Sequence, residues 1–124
     1  MAISKFRSKR KSTGGRYRRI NKKLRHLGGL PTLTKIGNLK KIRVRTRGNN
    51  IKERLLTANT ANLYDPKTKK YHKVKIETVI DNPSNRNFVR QKIITKGTII
   101  KTEMGNAKIT SRPGQEGTIN AVLI

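Results

Sequence analysis

The sequence predicts an all-β protein: a small antiparallel β-barrel with an extended basic N-terminal tail that contains at most a short helix. Three observations predict it. From about residue 38 onward apolar residues recur with period two in short runs. Glycine, proline and asparagine clusters separate those runs at close spacing. The first 52 residues hold 18 of the 31 Lys and Arg and none of the 6 Asp and Glu, so that half carries +18 and the rest +7. The second part has a globular charge balance. The first has no internal counter-charge, and such a segment is expected to stay extended and disordered until phosphates neutralise it.

Within the tail, residues 4–16 are basic, polar and glycine-containing, with Phe6 the one large apolar side chain. Tyr17, Ile20, Leu24 and Leu27 then recur at helical spacing, and Gly28-Gly29 would stop the helix. Arg18, Arg19, Lys22, Lys23 and Arg25 crowd the other faces. Like charges at such spacings oppose a helix in water, so this turn or two is expected only on a bound partner. Leu30-Pro31-Thr32 reads as a linker, because proline biases the residue before it away from helix.

The barrel strands follow in order. Residues 41–47 alternate, with Ile42 and Val44 on one face and Lys41, Arg43, Arg45 and Arg47 on the other. Gly48-Asn49-Asn50 is a hairpin signal and residues 51–58 the return strand. A short strand at 61–64 is closed by Asp65-Pro66-Lys67-Thr68, a type I turn composition. Across residues 71–80, His72, Val74, Ile76, Thr78 and Ile80 face one way and Tyr71, Lys73, Lys75 and Glu77 the other. A loop at 81–85 leads to strands at 93–95, 98–102, 107–111 and 118–123. Closure into a barrel suits a chain with 32% hydrophobic residues, because it leaves few open strand edges.

The 124 residues make one domain's worth of chain, and a charge of +25 implies a large polyanion as partner. With no Cys there is no disulfide framework, Cys-based zinc site or thiol nucleophile. The longest apolar run, residues 121–124, is far short of a membrane span. Residues 1–10 lead into no apolar stretch, so no secretory signal is expected. His26 and His72 sit among cations with no marked carboxylate partner, and the six acids are scattered singly. No HExxH, Walker A, GxSxG or EF-hand pattern occurs. The sequence therefore predicts no enzyme, no cofactor, no metal site and no small-molecule substrate.

The cations carry the function. Alternation along residues 41–47 places Lys41, Arg43, Arg45 and Arg47 on one face about 7 Å apart, close to the phosphate repeat of a nucleic-acid strand, with no acid expected opposite. Arginine at three of the four suits bidentate phosphate contacts. Lys5, Arg7, Lys9, Arg10, Lys11 and Arg16 of the tail form the stronger signal, and Gly14-Gly15 would let its backbone approach a phosphate or bend sharply. A solvated strand face, a localisation signal or a non-specific arm are the bland alternatives. The aromatics Phe6, Tyr17, Tyr64, Tyr71 and Phe88 form no alternating stacking platform, and no helix-turn-helix can be drawn. A tail plus a barrel suits a compact RNA better than a duplex; an architectural DNA-binding protein is the alternative, and an RNA-modifying enzyme is disfavoured by the missing site.

Specific runs sharpen this. Ile94-Thr95-Lys96-Gly97-Thr98-Ile99-Ile100 and Thr110-Ser111-Arg112-Pro113-Gly114-Gln115-Glu116-Gly117 resemble the archaeal form of the small-subunit ribosomal protein S8e family. Lys9-Arg10-Lys11-Ser12-Thr13-Gly14-Gly15-Arg16 and Arg45-Thr46-Arg47-Gly48-Asn49-Asn50 resemble the same family, over essentially the whole chain. The chain departs from it at the 65–70 turn, which lacks a glycine near Lys69, and at Leu27-Gly28-Gly29-Leu30-Pro31, which is less polar. The resemblance implies a tail over residues 1–37 threaded between rRNA helices and a barrel over 38–124. Its implied partners are 16S-type small-subunit rRNA and neighbouring ribosomal proteins, in the cytoplasmic ribosome and away from membranes. Lys96 becomes the candidate rRNA contact of its loop. Arg112 is either a contact or surface charge beside Pro113 and Gly114, where proline fixes φ and the glycine is expected to supply a positive φ.

Overall fold

The strands form where the alternation places them, with the turns between them made by Gly, Asn and Asp. The computed structural model describes residues 10–17 and 29–124. Contacts group residues 1–31 and residues 32–124 as separate units. The first unit's described segment, 10–17, closes a turn rather than running straight, and the helix expected on Tyr17, Ile20, Leu24 and Leu27 falls largely outside the described residues.

The second unit is built from β1 (Thr34–Ile36), β2 (Lys40–Arg45), β3 (Ile51–Ala58), β4 (Thr60–Asp65), β5 (Lys70–Asp81), α1 (Arg86–Arg90), β6 (Ile93–Ile94), β7 (Ile99–Thr102), β8 (Gly105–Ile109), α2 (Pro113–Glu116) and β9 (Asn120–Leu123). Five of these strands close a barrel in the order β4-β5-β7-β8-β9. Its seam is the one parallel ladder, β4 on β9, pairing Asn62 with Asn120, Leu63 with Ala121 and Tyr64 with Val122. The other four barrel ladders are antiparallel. The second sheet has the order β2-β3-β1-β6, which leaves β2 as an edge strand.

Inward-facing Leu63, Val74, Ile76, Ile100, Ala107, Ile109 and Ala121 fill the barrel, and Leu55 and Ala58 of β3 join the same core. No aromatic is among these buried residues, as the narrow interior of five strands requires. The all-β barrel reading is correct, but the barrel closes through a parallel ladder, and β2, β3 and β6, expected as barrel strands, lie in the second sheet.

Four details differ from the sequence reading. Ile80 does not face the core: it is 44% exposed while Val79 is 7% exposed. A register shift between Ile76 and Thr78 on β5 adds a residue, and one extra residue moves every later side chain to the other face. Second, β1 lies upstream of the alternation; Thr34 is fully buried and its hydroxyl donates to the Leu55 carbonyl at 2.7 Å. Third, two short helices appear. Asn85 caps α1 by accepting from the Asn87 N–H at 2.9 Å, and Pro113 opens α2 at a position where its missing N–H costs nothing. Both helices are too short to leave a periodicity.

Fourth, the left-handed position of the Arg112-Pro113-Gly114-Gln115 segment is not Gly114 but Gly117, at φ 70°. Gly114 answers a different need. A β-carbon there would stand 3.0 Å from Thr32 Cβ, and one at Gly117 would stand 3.2 Å from Glu53 Cβ. Bare glycines let α2 lie directly against Thr32 and β3, with Pro113 buried beneath.

Candidate nucleic-acid interface

On β2 the side chains of Lys41, Arg43 and Arg45 share one face, because β2 is an extended edge strand with exposed cations. Edge strands that carry charge resist pairing with other chains and leave that charge free for ligands. Arg47 does not continue the row: the strand ends at Arg45 and residues Arg47–Asn49 form a 3-10 turn, with Thr46 N–H donating to the Asn50 carbonyl at 2.7 Å. The side chain of Arg47 lies outside the described residues.

The expected absence of an acid opposite the row is also corrected. Glu53 of β3 pairs with Arg43 across the ladder, and its carboxylate meets Lys41 Nζ at 3.3 Å and Arg43 Nε at 3.3 Å. The hydrogen bond and charge of Lys41, with Arg43 adding to them, hold the Glu53 carboxyl below the usual carboxylate range. Glu53 is hidden from the alternation argument because it sits ten residues from Arg43 along the chain, on the returning strand. The Arg43 side chain remains 78% exposed, so the guanidinium keeps donors for another acceptor. Arg45 has no carboxylate partner among the described residues. Arg43, Arg45, Asn49 and Ile51 line an open recess of about 300 Å³, room for a phosphate group.

In the first unit, Lys11 N–H donates to the Gly15 carbonyl at 2.8 Å and Gly14 N–H to the Lys11 carbonyl at 3.1 Å. Gly14 sits at φ 81°, which only glycine adopts without strain. Arg10 and Arg16 bridge across the turn, and Arg10 Nη1 donates to the Gly14 carbonyl at 3.1 Å. Lys11 Nζ lies 5.9 Å from the centre of the Tyr17 ring. The turn thus presents three exposed cations, Arg10, Lys11 and Arg16, on one small loop. Lys5, Arg7, Lys9, Arg18, Arg19, Lys22, Lys23 and Arg25 lie outside the described residues.

Lys96 is exposed in the 95–98 turn, where Thr98 N–H donates to the Thr95 carbonyl at 3.2 Å. The threonines around it are structural. Thr95 N–H donates to the Thr98 hydroxyl at 3.0 Å and the Thr95 hydroxyl to the buried Asn82 at 3.0 Å. Arg112 is exposed too, while its carbonyl accepts the Gln115 and Glu116 N–H groups at 2.9 Å. The β2 row, Lys96 and Arg112 all belong to the second unit, and each presents its charge outward.

His72 is half-buried on β5. The sequence marks no carboxylate near it, yet its pairing with Leu63 sets it two positions along β4 from Asp65. That carboxylate is committed to the turn: it accepts the Lys67 N–H and the Thr68 hydroxyl, both at 2.9 Å, and these bonds chiefly lower its pKa. Among the described residues no group of His, Asp and Glu could hold a metal ion, and no helix is long and apolar enough to cross a membrane.

One arrangement escapes the sequence reading. Tyr64 and Tyr71 flank the 65–70 turn symmetrically, and the ladder sets them directly opposite, with ring centres 4.9 Å apart. The signal is present: once Asp65 pairs with Lys70, the next pair outward is the two tyrosines.

Known proteins resemble this chain over its whole length. The family model described as Ribosomal protein S8e matches residues 4–124. A protein of Picrophilus torridus named small ribosomal subunit protein eS8 is 46% identical over the full length of both chains. Its namesake in Nanoarchaeum equitans is 50% identical over 95% of this chain and 94% of its own, and that of Methanococcus aeolicus 48% identical over 100% and 98%. A match that runs through the basic N-terminal segment, the β2 row and the glycines under α2 leaves one conclusion: the chain belongs to the ribosomal protein S8e family, a family of ribosomal structural components and not of enzymes.

Proposed function

We propose that the protein is a structural constituent of the small ribosomal subunit in an archaeal cytoplasm, where it binds and compacts small-subunit rRNA through Lys and Arg contacts to phosphates. The observation that carries the reading is the edge strand β2, which presents Arg43 and Arg45 around an open recess and belongs to a 52-residue stretch with 18 cations and no acid. Phosphates converging as an RNA folds repel one another, and fixed cations between them lower that cost. The relatives' names support the assignment to the small subunit. The segment before β1 acts as the arm that enters the RNA, shorter than residues 1–37 because β1 already belongs to the sheet, and residues 32–124 act as the body that docks on its surface beside other ribosomal proteins.

Salt-dependent binding tests the proposal. The full chain carrying Arg43→Gln and Arg45→Gln should unfold at the same urea concentration as the parent. Its affinity for small-subunit rRNA should fall, and the slope of log K against log salt should shrink by about 0.7–0.9 for each phosphate left without its cation. Unchanged affinity and slope would remove the β2 row from the interface. RNase, and not DNase, should release the protein from cell extract; release by DNase would favour the architectural DNA-binding alternative.

A further inference from the structure

The outer face of the barrel seam carries a second cluster, away from β2. Outward-facing residues of β9, β4 and β5 line up in two rows across the three strands: Val122, Tyr64 and Tyr71 in one, and Asn120, Asn62 and Lys73 in the other. Together they line a shallow depression of about 660 Å³, which has room for a nucleobase and its ribose.

Each row has a distinct chemistry. Tyr71 is 77% exposed, an unusual state for a large aromatic ring, and Tyr64 against it fixes its position. Asn62 Nδ2 donates to Asn120 Oδ1 at 3.0 Å, which uses one donor and one acceptor of the pair. The remaining amide donors and the Asn62 carbonyl oxygen suit the polar edge of a base. Lys73 stands two residues from Tyr71 on the same face of β5, about 7 Å along the strand, the distance from a stacked base to its own phosphate. Lys108 pairs with Val122 on the other side and adds a second cation.

We propose that this face binds one unpaired nucleobase of the RNA. Tyr71 stacks on the base, the Asn62–Asn120 pair meets its edge, and Lys73 and Lys108 take the flanking phosphates. Charge favours a nucleotide over a protein side chain, because both ionic groups set around the aromatic row are cations and the nearby Asp65 carboxylate is held by its turn. A paired base has its face covered by its neighbours, so the site selects single-stranded or looped RNA. The inference rests on the RNA-binding reading above, but on different residues.

The intact protein is titrated with a single-stranded RNA octamer and with a duplex of the same sequence at fixed salt, following tyrosine fluorescence and affinity. The single strand should quench the emission and the duplex should not. Tyr71→Leu should abolish most of the quenching and weaken single-strand binding about tenfold, and Tyr71→Phe should restore the affinity. Lys73→Gln should lower the salt slope by about 0.7 and leave the quenching in place. If Tyr71→Leu binds single strands as the parent does, or if the duplex quenches equally, the base site is wrong. The Arg43→Gln, Arg45→Gln variant separates the two readings. Should it lose rRNA affinity while Tyr71→Leu does not, phosphate binding by β2 stands and the base site falls. Should it keep single-strand quenching that Tyr71→Leu lacks, the base site stands independently.

Discussion

The hairpins β2–β3 and β4–β5 are built from sequences of the same kind and end in opposite situations. Both are antiparallel, both run through six paired positions, and in each one strand, β2 or β5, alternates cations with apolar residues. On β4 and β5 the apolar rows, Ala61 and Leu63 with Val74 and Ile76, point into a closed barrel and are 0–6% exposed. On β2 the equivalent row, Ile42 and Val44, lies outside the barrel, with Ile42 43% exposed and Val44 half-buried. Alternation thus states which residues share a face. Whether that face is covered depends on closure, and closure is made by β9, more than fifty residues further on. The strand left at the open edge is the one that presents Arg43 and Arg45 outward.

The largest effect that tests this contrast is a pair of truncations. Leu63→Ala, in a site with no exposure, should cost about 2–5 kcal/mol by removing packed atoms and leaving a cavity. Ile42→Ala should cost less than about 1 kcal/mol, because water already reaches that side chain. Urea denaturation of both variants measures the difference. Equal losses would mean that β2 is covered by something the sheet order does not include.

The same contrast explains what the sequence discloses. Strands with four or more alternating residues are legible, since their pattern arises locally from the pleat, and residues 51–58 are placed to the residue as the return of the hairpin that Gly48-Asn49-Asn50 signals. The expected basic face is half right for the same reason: Lys41, Arg43 and Arg45 follow from period two, but Glu53 and the 3-10 turn at Arg47 do not. The bulge on β5 is invisible because an inserted residue changes the face without changing the composition. β1, α1 and α2 are three to five residues long. For β1 and α2 the cause is tertiary: Thr34 bonding Leu55, and Gly114 and Gly117 lying against neighbouring backbone. The tyrosine pair is a matter of counting outward from a turn.

The turns of the two hairpins give a smaller test. In the first, the left-handed positions are Gly48 at φ 72° and Asn49 at φ 61°, residue types that tolerate them. In the second, which lacks a glycine near Lys69, that lysine itself takes the left-handed position at φ 55°. A lysine there crowds its β-carbon against the carbonyl, at a cost of about 1–2 kcal/mol, while glycine would loosen the unfolded chain by about 0.5–1 kcal/mol. Lys69→Gly should therefore raise stability by up to about 1 kcal/mol, read as a higher urea midpoint with an unchanged slope. A lower midpoint would show that the Asp65 bonds to Lys67 and Thr68 already relieve the turn.

The smallest effect concerns the one carboxylate among the β2 cations. Glu53 has its pKa lowered in the folded protein, first by Lys41 and then by Arg43, so it binds fewer protons folded than unfolded. Its contribution is complete above the pKa of the unfolded chain and fades as pH falls through that value toward the folded one. Asp65 has the same sign in the barrel hairpin. Urea midpoints measured from neutral pH into the acid range should fall for the parent protein and fall less for Glu53→Gln, so that the parent's advantage at neutral pH closes at the acid end. At neutral pH the parent should be the more stable, by a small margin because exposed ion pairs contribute little. RNA affinity should move the other way: without Glu53, Lys41 and Arg43 lose their internal counter-charge, and Glu53→Gln should bind rRNA more tightly, with a steeper salt slope. Weaker binding would instead show that Glu53 holds those two cations in the orientation that the phosphates need, which makes the acid a positioning residue of the interface rather than a competitor for its cations.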